Sequence, residues 1–142
     1  MAADVRIKRI YDQASPEDGT RVLVDRVWPR GVTKEAAALT VWLKEIAPST
    51  ALRKWFGHEP ARFAEFRRRY LDEIRANAPA AERLRSYVEG GRTTLLYAAH
   101  DPAHNNAVVL KELLDGRRKP PTGTGPGAVS VLRKRASTMK RR

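Results

Sequence analysis

Two short polar segments contain most of the side chains in this sequence that could do chemistry. The first, DRVWPRG, spans residues 25–31 and directly follows the apolar run VLV at residues 22–24. The second, HDPAHNN, spans residues 100–106 and follows the apolar run TTLLYAA at residues 93–99. Core strands do not need arginine, and loops rarely use tryptophan. The first segment in particular therefore indicates a role beyond connecting two elements.

The first segment places a guanidinium and an indole at the end of a strand. Because side chains alternate along a strand, Arg26 and Trp28 are expected on the same face as Val24. A guanidinium beside an indole is suited to stacking on a planar ligand. The proline and glycine on either side of Arg30 predict a turn that directs its side chain outward.

The second segment contains His100, Asp101, His104, Asn105 and Asn106. Either asparagine can cap the helix that follows, and a helix N-terminus favours an anion. In open α/β sheets, ligands bind outside the carboxyl ends of the strands. If the two strands are parallel, both segments form one pocket for a negatively charged, aromatic small molecule. A nucleotide fits that description, and so does a flipped base with its phosphate.

Structural alternatives stay open for the same residues. Either arginine of the first segment can instead pair with a nearby acid, the candidates being Asp25, Glu45 and Asp101. Trp28 and Trp42 can be ordinary core residues, and the asparagines can serve only as helix caps. The two histidines of the second segment lie in a predicted loop rather than on one helix face, so the sequence predicts no metal site.

The hydrophobic pattern predicts a small layered α/β domain around these segments. Apolar runs predict strands at residues 5–10, 20–27 and 93–99, and the last two are expected to be buried on both faces. Helices are predicted at residues 33–38 and 49–56, from Pro60 onward, between Pro79 and Gly90, and from the second segment to Gly116. The expected architecture is a mainly parallel or mixed sheet of about three to four strands with flanking helices.

Composition divides the chain into two parts. Residues 117–142 hold nine basic residues and no acid, whereas residues 1–116 hold the other 19 bases and all 16 acids. This predicts a domain at residues 1–116 and a flexible basic tail that contacts nucleic acid.

The chain has no cysteine, which excludes thiolate metal sites and disulfides. It has no glycine-rich phosphate loop, so no cofactor is expected. No apolar run approaches the roughly 20 residues of a membrane span, and a cytoplasmic location is expected.

Five motifs in a fixed order carry a resemblance to a known family. DRVWPRG is followed by WLKEIAPS at residues 42–49, LRKWF at 52–56, F-x-x-F-x-x-x-Y at 63–70 and LLYAAHD-x-x-x-NNAVVL at 95–110. The series resembles the YeaO-like branch of domain of unknown function 488, over about residues 5–115. The resemblance implies a small bacterial α/β protein of the cytoplasm, and it implies no activity.

The resemblance also implies a set of site residues. The polar positions that match the family pattern are Asp25, Arg26, Arg30, Lys44, Glu45, Arg53 and Asn105. The first hypothesis is a site for an anionic ligand, a nucleotide or nucleic acid, formed by Arg26, Trp28, Arg30, Lys44, Arg53 and Asn105. In the enzymatic alternative, a hydrolase or glycosidase acting on a nucleotide-like substrate uses Asp25, Glu45 or Asp101 as its acid or base. A third alternative is a stress or accessory module that works through protein contacts.

Overall fold

The structure, a computed structural model, describes residues 4–118 of the 142-residue chain, with side chains described through residue 116. This part of the chain contains the strands β1 (Val5–Arg9), β2 (Thr20–Leu23), β3 (Val41–Trp42) and β4 (Thr93–Tyr97). Its α-helices are α1 (Lys34–Ala37), α2 (Thr50–Phe56), α3 (Phe63–Ala76), α4 (Ala78–Glu89) and α5 (Asn106–Arg118). Short 3-10 helices lie at Pro16–Asp18, Lys44–Ile46 and Pro60–Arg62.

The strands form one parallel sheet in the order β1–β4–β2–β3. Strand β4 is central, and its Thr93 aligns with Val5 of β1 on one side and with Thr20 of β2 on the other. Every residue of β4 is buried, because a parallel strand inside a layered sheet meets side chains on both faces. The predicted α/β class is confirmed. Since β2 and β4 run parallel, their carboxyl ends lie at the same edge.

Helices cover one face of the sheet and form the larger part of the core. Phe66, Tyr70 and Leu110 from these helices share one apolar cluster with Val22 and Leu95 of the sheet. A smaller cluster lies on the opposite face and contains Ile10, Leu23, Ala37 and Leu96. Consecutive residues of β2 and of β4 thus enter different clusters, as the two-residue period of a strand requires.

Side-chain caps fix where two of the helices begin. The Ser49 hydroxyl accepts a hydrogen bond from the Leu52 N–H (3.1 Å), and the Thr33 hydroxyl accepts one from the Ala36 N–H (3.0 Å). Both caps agree with the predicted helix starts, because serine and threonine are favoured N-cap residues. Helix α2 ends at Gly57, whose φ of 56° is a left-handed conformation that glycine adopts without strain.

Two predicted boundaries are wrong. Strand β2 ends at Leu23 and not at Val27. The Val24 N–H still donates to the Leu96 carbonyl of β4 (3.1 Å), but the Ala98 N–H donates to the Asp25 side chain (3.0 Å), so the main-chain ladder does not continue into the first segment. Helix α5 does not end at Gly116 but continues to Arg118, since an interior glycine costs a helix only about 1 kcal/mol. The two-residue strand β3 was not predicted, because so short a strand has no readable period.

The basic tail remains a prediction. Of residues 117–142, the structure describes only the backbone of 117 and 118. Within residues 4–118, no helix is both long and apolar enough to cross a membrane.

Candidate functional site

A cavity of about 670 Å³ lies at the sheet edge where β2 and β4 end, and both predicted polar segments line it. Small-molecule sites typically occupy roughly 300–1,000 Å³. Side chains from the helical layer complete its wall. The predicted site residues that line this cavity are Asp25, Arg26, Trp28, Arg30, Arg53, Asp101 and Asn105.

Hydrogen bonds from two tryptophans hold the first segment in place. The indole N–H of Trp28 donates to the Val32 carbonyl, and that of Trp42 donates to the Asp25 carbonyl, both at 2.7 Å. The two indoles meet edge to face, with ring centroids 5.4 Å apart. Trp28 packs on the smaller cluster, on the face opposite to Val24. The expectation of a shared face is wrong, because the alternation of side chains ends with β2.

Arg26 connects the first segment to the chain just before α2. Its Nε donates to the Pro48 carbonyl (3.2 Å) and its Nη2 to the Ala47 carbonyl (3.1 Å). Among the described residues, the pairs of a cation with an aromatic ring do not include Arg26 with Trp28. The guanidinium is therefore committed to main-chain carbonyls and serves the architecture of the cavity wall.

Arg30 and Arg53 differ from Arg26, because both are exposed and line the cavity with guanidiniums that no described side chain engages. Arg30 sits in a turn completed by Gly31, whose φ is 79°. The hydroxyl of Tyr11 donates to the Arg30 carbonyl at 2.9 Å and holds that turn. The cavity therefore has two cations without an intramolecular carboxylate partner among the described residues.

The carboxyl group of Asp25 is half-buried at the cavity. Its Oδ2 accepts a hydrogen bond from the Ala98 N–H (3.0 Å) and its Oδ1 one from the Asn106 amide (3.2 Å). Burial raises the pKa of Asp25, and these two hydrogen bonds and the nearby charges of Arg53 and His58 only partly oppose the rise. Asp25 is thus a carboxyl group whose charged form is costly to maintain.

Asp101 lines the same cavity, but its pKa is displaced in the direction opposite to that of Asp25. Its Oδ1 accepts the Ala103 N–H (2.9 Å) and the His104 N–H (3.2 Å), and its Oδ2 lies 2.8 Å from Nδ1 of His104. The hydrogen bond from Ala103, followed by that from the His104 ring, holds the pKa of Asp101 below its usual range. One cavity therefore contains two carboxyl groups whose pKa values are displaced in opposite directions.

Asn105 stabilises the second segment and the start of α5. Its side-chain oxygen accepts the Val108 N–H (3.0 Å), and its amide donates to the Asp101 carbonyl (2.8 Å). This is the N-cap role that the sequence indicates for one of the two asparagines. Because Asn105 is buried and both ends of its amide are engaged, its contribution at the cavity is to hold the segment in place.

Lys44 and Glu45 do not reach this cavity. The ammonium of Lys44 lies 4.5 Å from the centroid of the Trp42 ring. Glu45 lines a second, smaller cavity of about 90 Å³ and lies 4.0 Å from Arg83. Both residues belong to the 3-10 helix after β3, whose tight turn directs them away from the edge where β2 and β4 end.

The sequence interpretation missed several wall residues, among them Phe56, Phe66 and His58. Phe56 and Phe66 line the cavity as well as the core, and their helical spacing indicated only the core. His58 lines it from the turn after α2, where its φ is 60°, and no sequence pattern connects this position with the strand ends. In the part of the chain that the structure describes, no group of three or more His, Asp or Glu side chains is arranged to hold a metal ion.

Comparison with known proteins agrees with the resemblance in the motifs. A family model described as "Inactive DUF488-N3 subclade" matches residues 4–126. Uncharacterized protein YeaO of Escherichia coli is 44% identical over 111 residues, which is 78% of this chain and 96% of YeaO. Uncharacterized protein Rv3073c of Mycobacterium tuberculosis is 43% identical over 113 residues, 80% of this chain and 95% of that protein. No solved structure matches significantly. The chain therefore belongs to the YeaO-like family of DUF488 proteins.

Proposed function

We propose that this protein binds a small anionic ligand with a planar part, such as a nucleotide or a nucleotide unit of a nucleic acid, in the cavity at the carboxyl ends of β2 and β4. The observation that carries the proposal is the pair Arg30 and Arg53. Both guanidiniums line the cavity, and within the described residues neither has a carboxylate partner. Guanidinium groups form bidentate hydrogen bonds with phosphate and carboxylate oxygens.

The arginines of helix α3 show the contrast. Arg67 lies 2.8 Å from Glu112, Arg69 lies 2.8 Å from Glu65, and Arg75 lies 3.0 Å from Asp72. These surface guanidiniums are neutralised within the chain, whereas the two at the cavity have no such partner among the described residues. Like charges gathered in a concavity attract an anion more strongly than isolated surface charges do.

The planar part of the ligand would lie against the apolar wall. Val27, which is 60% exposed, and the half-buried Trp28 supply the accessible part of that wall. Phe56 and Phe66 also line the cavity but are only 5% and 2% exposed. A flat ring buries apolar area against such a surface at a gain of about 25 cal/mol per Å².

The test measures thermal stabilisation of the full chain by inorganic phosphate and by a set of nucleoside monophosphates. The proposal predicts stabilisation of the wild type and its loss in Arg30→Ala, with the melting temperature of the free variant nearly unchanged. Removing one hydrogen bond to a charged group is expected to weaken binding by about 1.5–3 kcal/mol. Arg30→Lys restores binding only in part, because lysine lacks the planar fork.

Arg75→Ala is the matched control, since it removes one exposed guanidinium from a position that does not line the cavity. It should leave ligand stabilisation unchanged. If no anion stabilises the wild type, or if Arg30→Ala unfolds the protein, the guanidinium is architectural and the proposal is wrong.

A hydrolase or glycosidase is the second candidate, and the opposite displacement of the two carboxyl pKa values favours it. A carboxyl group with a raised pKa, such as Asp25, is suited to act as a general acid, and one that stays ionised, such as Asp101, to stabilise charge or accept a proton. The family description "inactive" favours binding without turnover. Incubation with nucleosides and nucleotides, with base release followed by chromatography, separates the two. Release that Asp25→Asn abolishes would establish the enzyme.

The basic tail supports an additional contribution. Residues 117–142 carry nine basic residues and no acid, and each basic residue that contacts a phosphate releases counterions. We propose that the tail adds affinity for nucleic acid, next to a domain that supplies the ligand site.

A further inference from the structure

Asp25 is held in one orientation by three hydrogen bonds. Its main-chain carbonyl accepts the Trp42 indole N–H (2.7 Å), its Oδ2 accepts the Ala98 N–H (3.0 Å), and its Oδ1 accepts the Asn106 amide (3.2 Å). The Asn106 amide nitrogen is itself fixed by a hydrogen bond to the Val24 carbonyl (2.8 Å). The carboxylate is therefore positioned in advance of any ligand, which reduces the entropic cost of binding.

The carboxylate of Asp25 retains unused acceptor capacity. An ionised carboxylate accepts about four hydrogen bonds, and each Asp25 oxygen accepts one from the described residues. Arg53 acts on Asp25 through its charge, but the ion pairs of the described residues do not include one between these two side chains. Each oxygen already has one partner, so among the described residues neither is a buried acceptor without a hydrogen bond. The remaining capacity is open to a donor from solvent or from a ligand.

The cavity thus combines exposed cations with a half-buried, fixed acceptor pair. A ligand that satisfies both carries an anionic group and, on its ring, two adjacent N–H donors that match the two oxygens of a carboxylate. Among the common nucleobases, guanine has this arrangement, because its N1–H and its 2-amino group lie side by side. Adenine, cytosine and uracil each present at least one acceptor where guanine presents a donor.

We propose that Asp25 determines the specificity of the site and selects a guanine nucleotide, or a ring with the same pair of donors, by accepting both N–H groups. The inference rests on the proposed anion site, because the phosphate would be held by Arg30 and Arg53. Burial raises the pKa of Asp25, and the hydrogen bonds from Ala98 and Asn106 together with the charge of Arg53 oppose that rise and favour the ionised, accepting form. The accessible apolar wall at Val27 and Trp28 would face the plane of the ring.

The experiment titrates the full chain by calorimetry with GMP, IMP, AMP and inorganic phosphate. IMP differs from GMP only by the missing 2-amino group, and AMP lacks the donor pair. The expected order of affinity is GMP, then IMP, then AMP, with GMP at least about tenfold tighter than AMP, a ratio that corresponds to about 1.4 kcal/mol. In Asp25→Asn, the preference for GMP over AMP should vanish while phosphate binding persists.

Asparagine at position 25 retains one acceptor and loses another, so the variant's folding is checked by its melting temperature. The ligand series on the wild type needs no variant and decides the question even if Asp25→Asn unfolds. If AMP binds as tightly as GMP while phosphate also binds, the role of Asp25 is refuted and the anion site stands. If neither phosphate nor any nucleotide binds, both proposals fail. Arg75→Ala, which changes an exposed residue that does not line the cavity, is the matched control and should leave the order of affinity unchanged.

Discussion

Replacing Arg26 and Arg30 separately should give opposite results, although both arginines lie in one seven-residue segment and line one cavity. Arg26 donates to the carbonyls of Ala47 and Pro48, which belong to buried residues. Arg30 is exposed and its guanidinium is engaged by no described side chain. Arg26→Ala should therefore reduce stability, and Arg30→Ala should reduce ligand binding.

The magnitudes follow from the hydrogen bonds that each change removes. A hydrogen bond from a charged donor contributes about 1.5–3 kcal/mol, and Arg26 is half-buried. The low end of that range is therefore appropriate, and losing two such bonds costs about 3 kcal/mol. For a domain of this size, about 4 °C of melting temperature corresponds to each kcal/mol, which gives a decrease of about 12 °C for Arg26→Ala. Arg30→Ala removes an exposed guanidinium, so the loss should stay below about 1 kcal/mol.

The assay is thermal unfolding followed by circular dichroism, with Arg75→Ala as the reference for an exposed arginine. Arg26→Lys should lie between Arg26→Ala and the wild type, because a single ammonium cannot reproduce the planar fork that meets two carbonyls. If Arg30→Ala lowers the melting temperature as much as Arg26→Ala does, or if Arg26→Ala melts like Arg75→Ala, the assignment of Arg26 to architecture and Arg30 to binding is refuted.

Two further predictions concern the second segment and the tail. Hydrogen bonds from Ala103 and His104 hold the pKa of Asp101 below its usual range. The ionised form of Asp101 therefore stabilises the fold at any pH above the unfolded-state pKa of about 3.9. This stabilisation is lost as the pH falls through the lower, folded-state pKa. Asp101→Asn should accordingly lower the melting temperature near neutral pH and approach the wild type in strong acid, and a pH-independent difference would contradict this cause. A chain cut after Arg118, where α5 ends, should keep its melting temperature but bind duplex DNA with a flatter salt dependence. Each phosphate contact contributes about 0.9 to the slope of log affinity against log salt concentration. An unchanged slope would exclude the tail from nucleic-acid binding.

The strand-end location of the cavity could be predicted, because it follows from the order of apolar runs. Two buried runs separated by helical segments indicate parallel strands, and parallel strands place their carboxyl ends at one edge. That argument brings Asp25 and Asp101 to one cavity without any knowledge of side-chain packing. Asn105 as the cap of the last helix was equally accessible, because a cap depends on local sequence.

The directions of individual side chains were harder to predict than the location of the cavity. The face of Trp28 depended on where β2 ends, which is where the Asp25 side chain accepts the Ala98 N–H in place of a main-chain carbonyl, and no local pattern predicts that exchange. Lys44 and Glu45 matched the family motif, but the tight turn after β3 directs them elsewhere. Phe56 and Phe66 show the converse problem: a helix face that packs the core can also line a cavity, and the two roles require the same apolar spacing.

The density of unusual residues in DRVWPRG has a physical explanation in the hydrogen bonds that the segment makes. The carbonyl of Asp25, the guanidinium of Arg26 and the indole of Trp28 all take part in bonds that fix the chain after β2 has ended. A segment without strand pairing would otherwise sample many conformations, at a cost of about 1–2 kcal/mol for each residue ordered on binding. Those bonds order it in advance, and the turn held by Tyr11 leaves the Arg30 side chain free. A rigid support beneath a cation that has no partner among residues 4–116 is the arrangement that favours capture of an anion at low entropic cost.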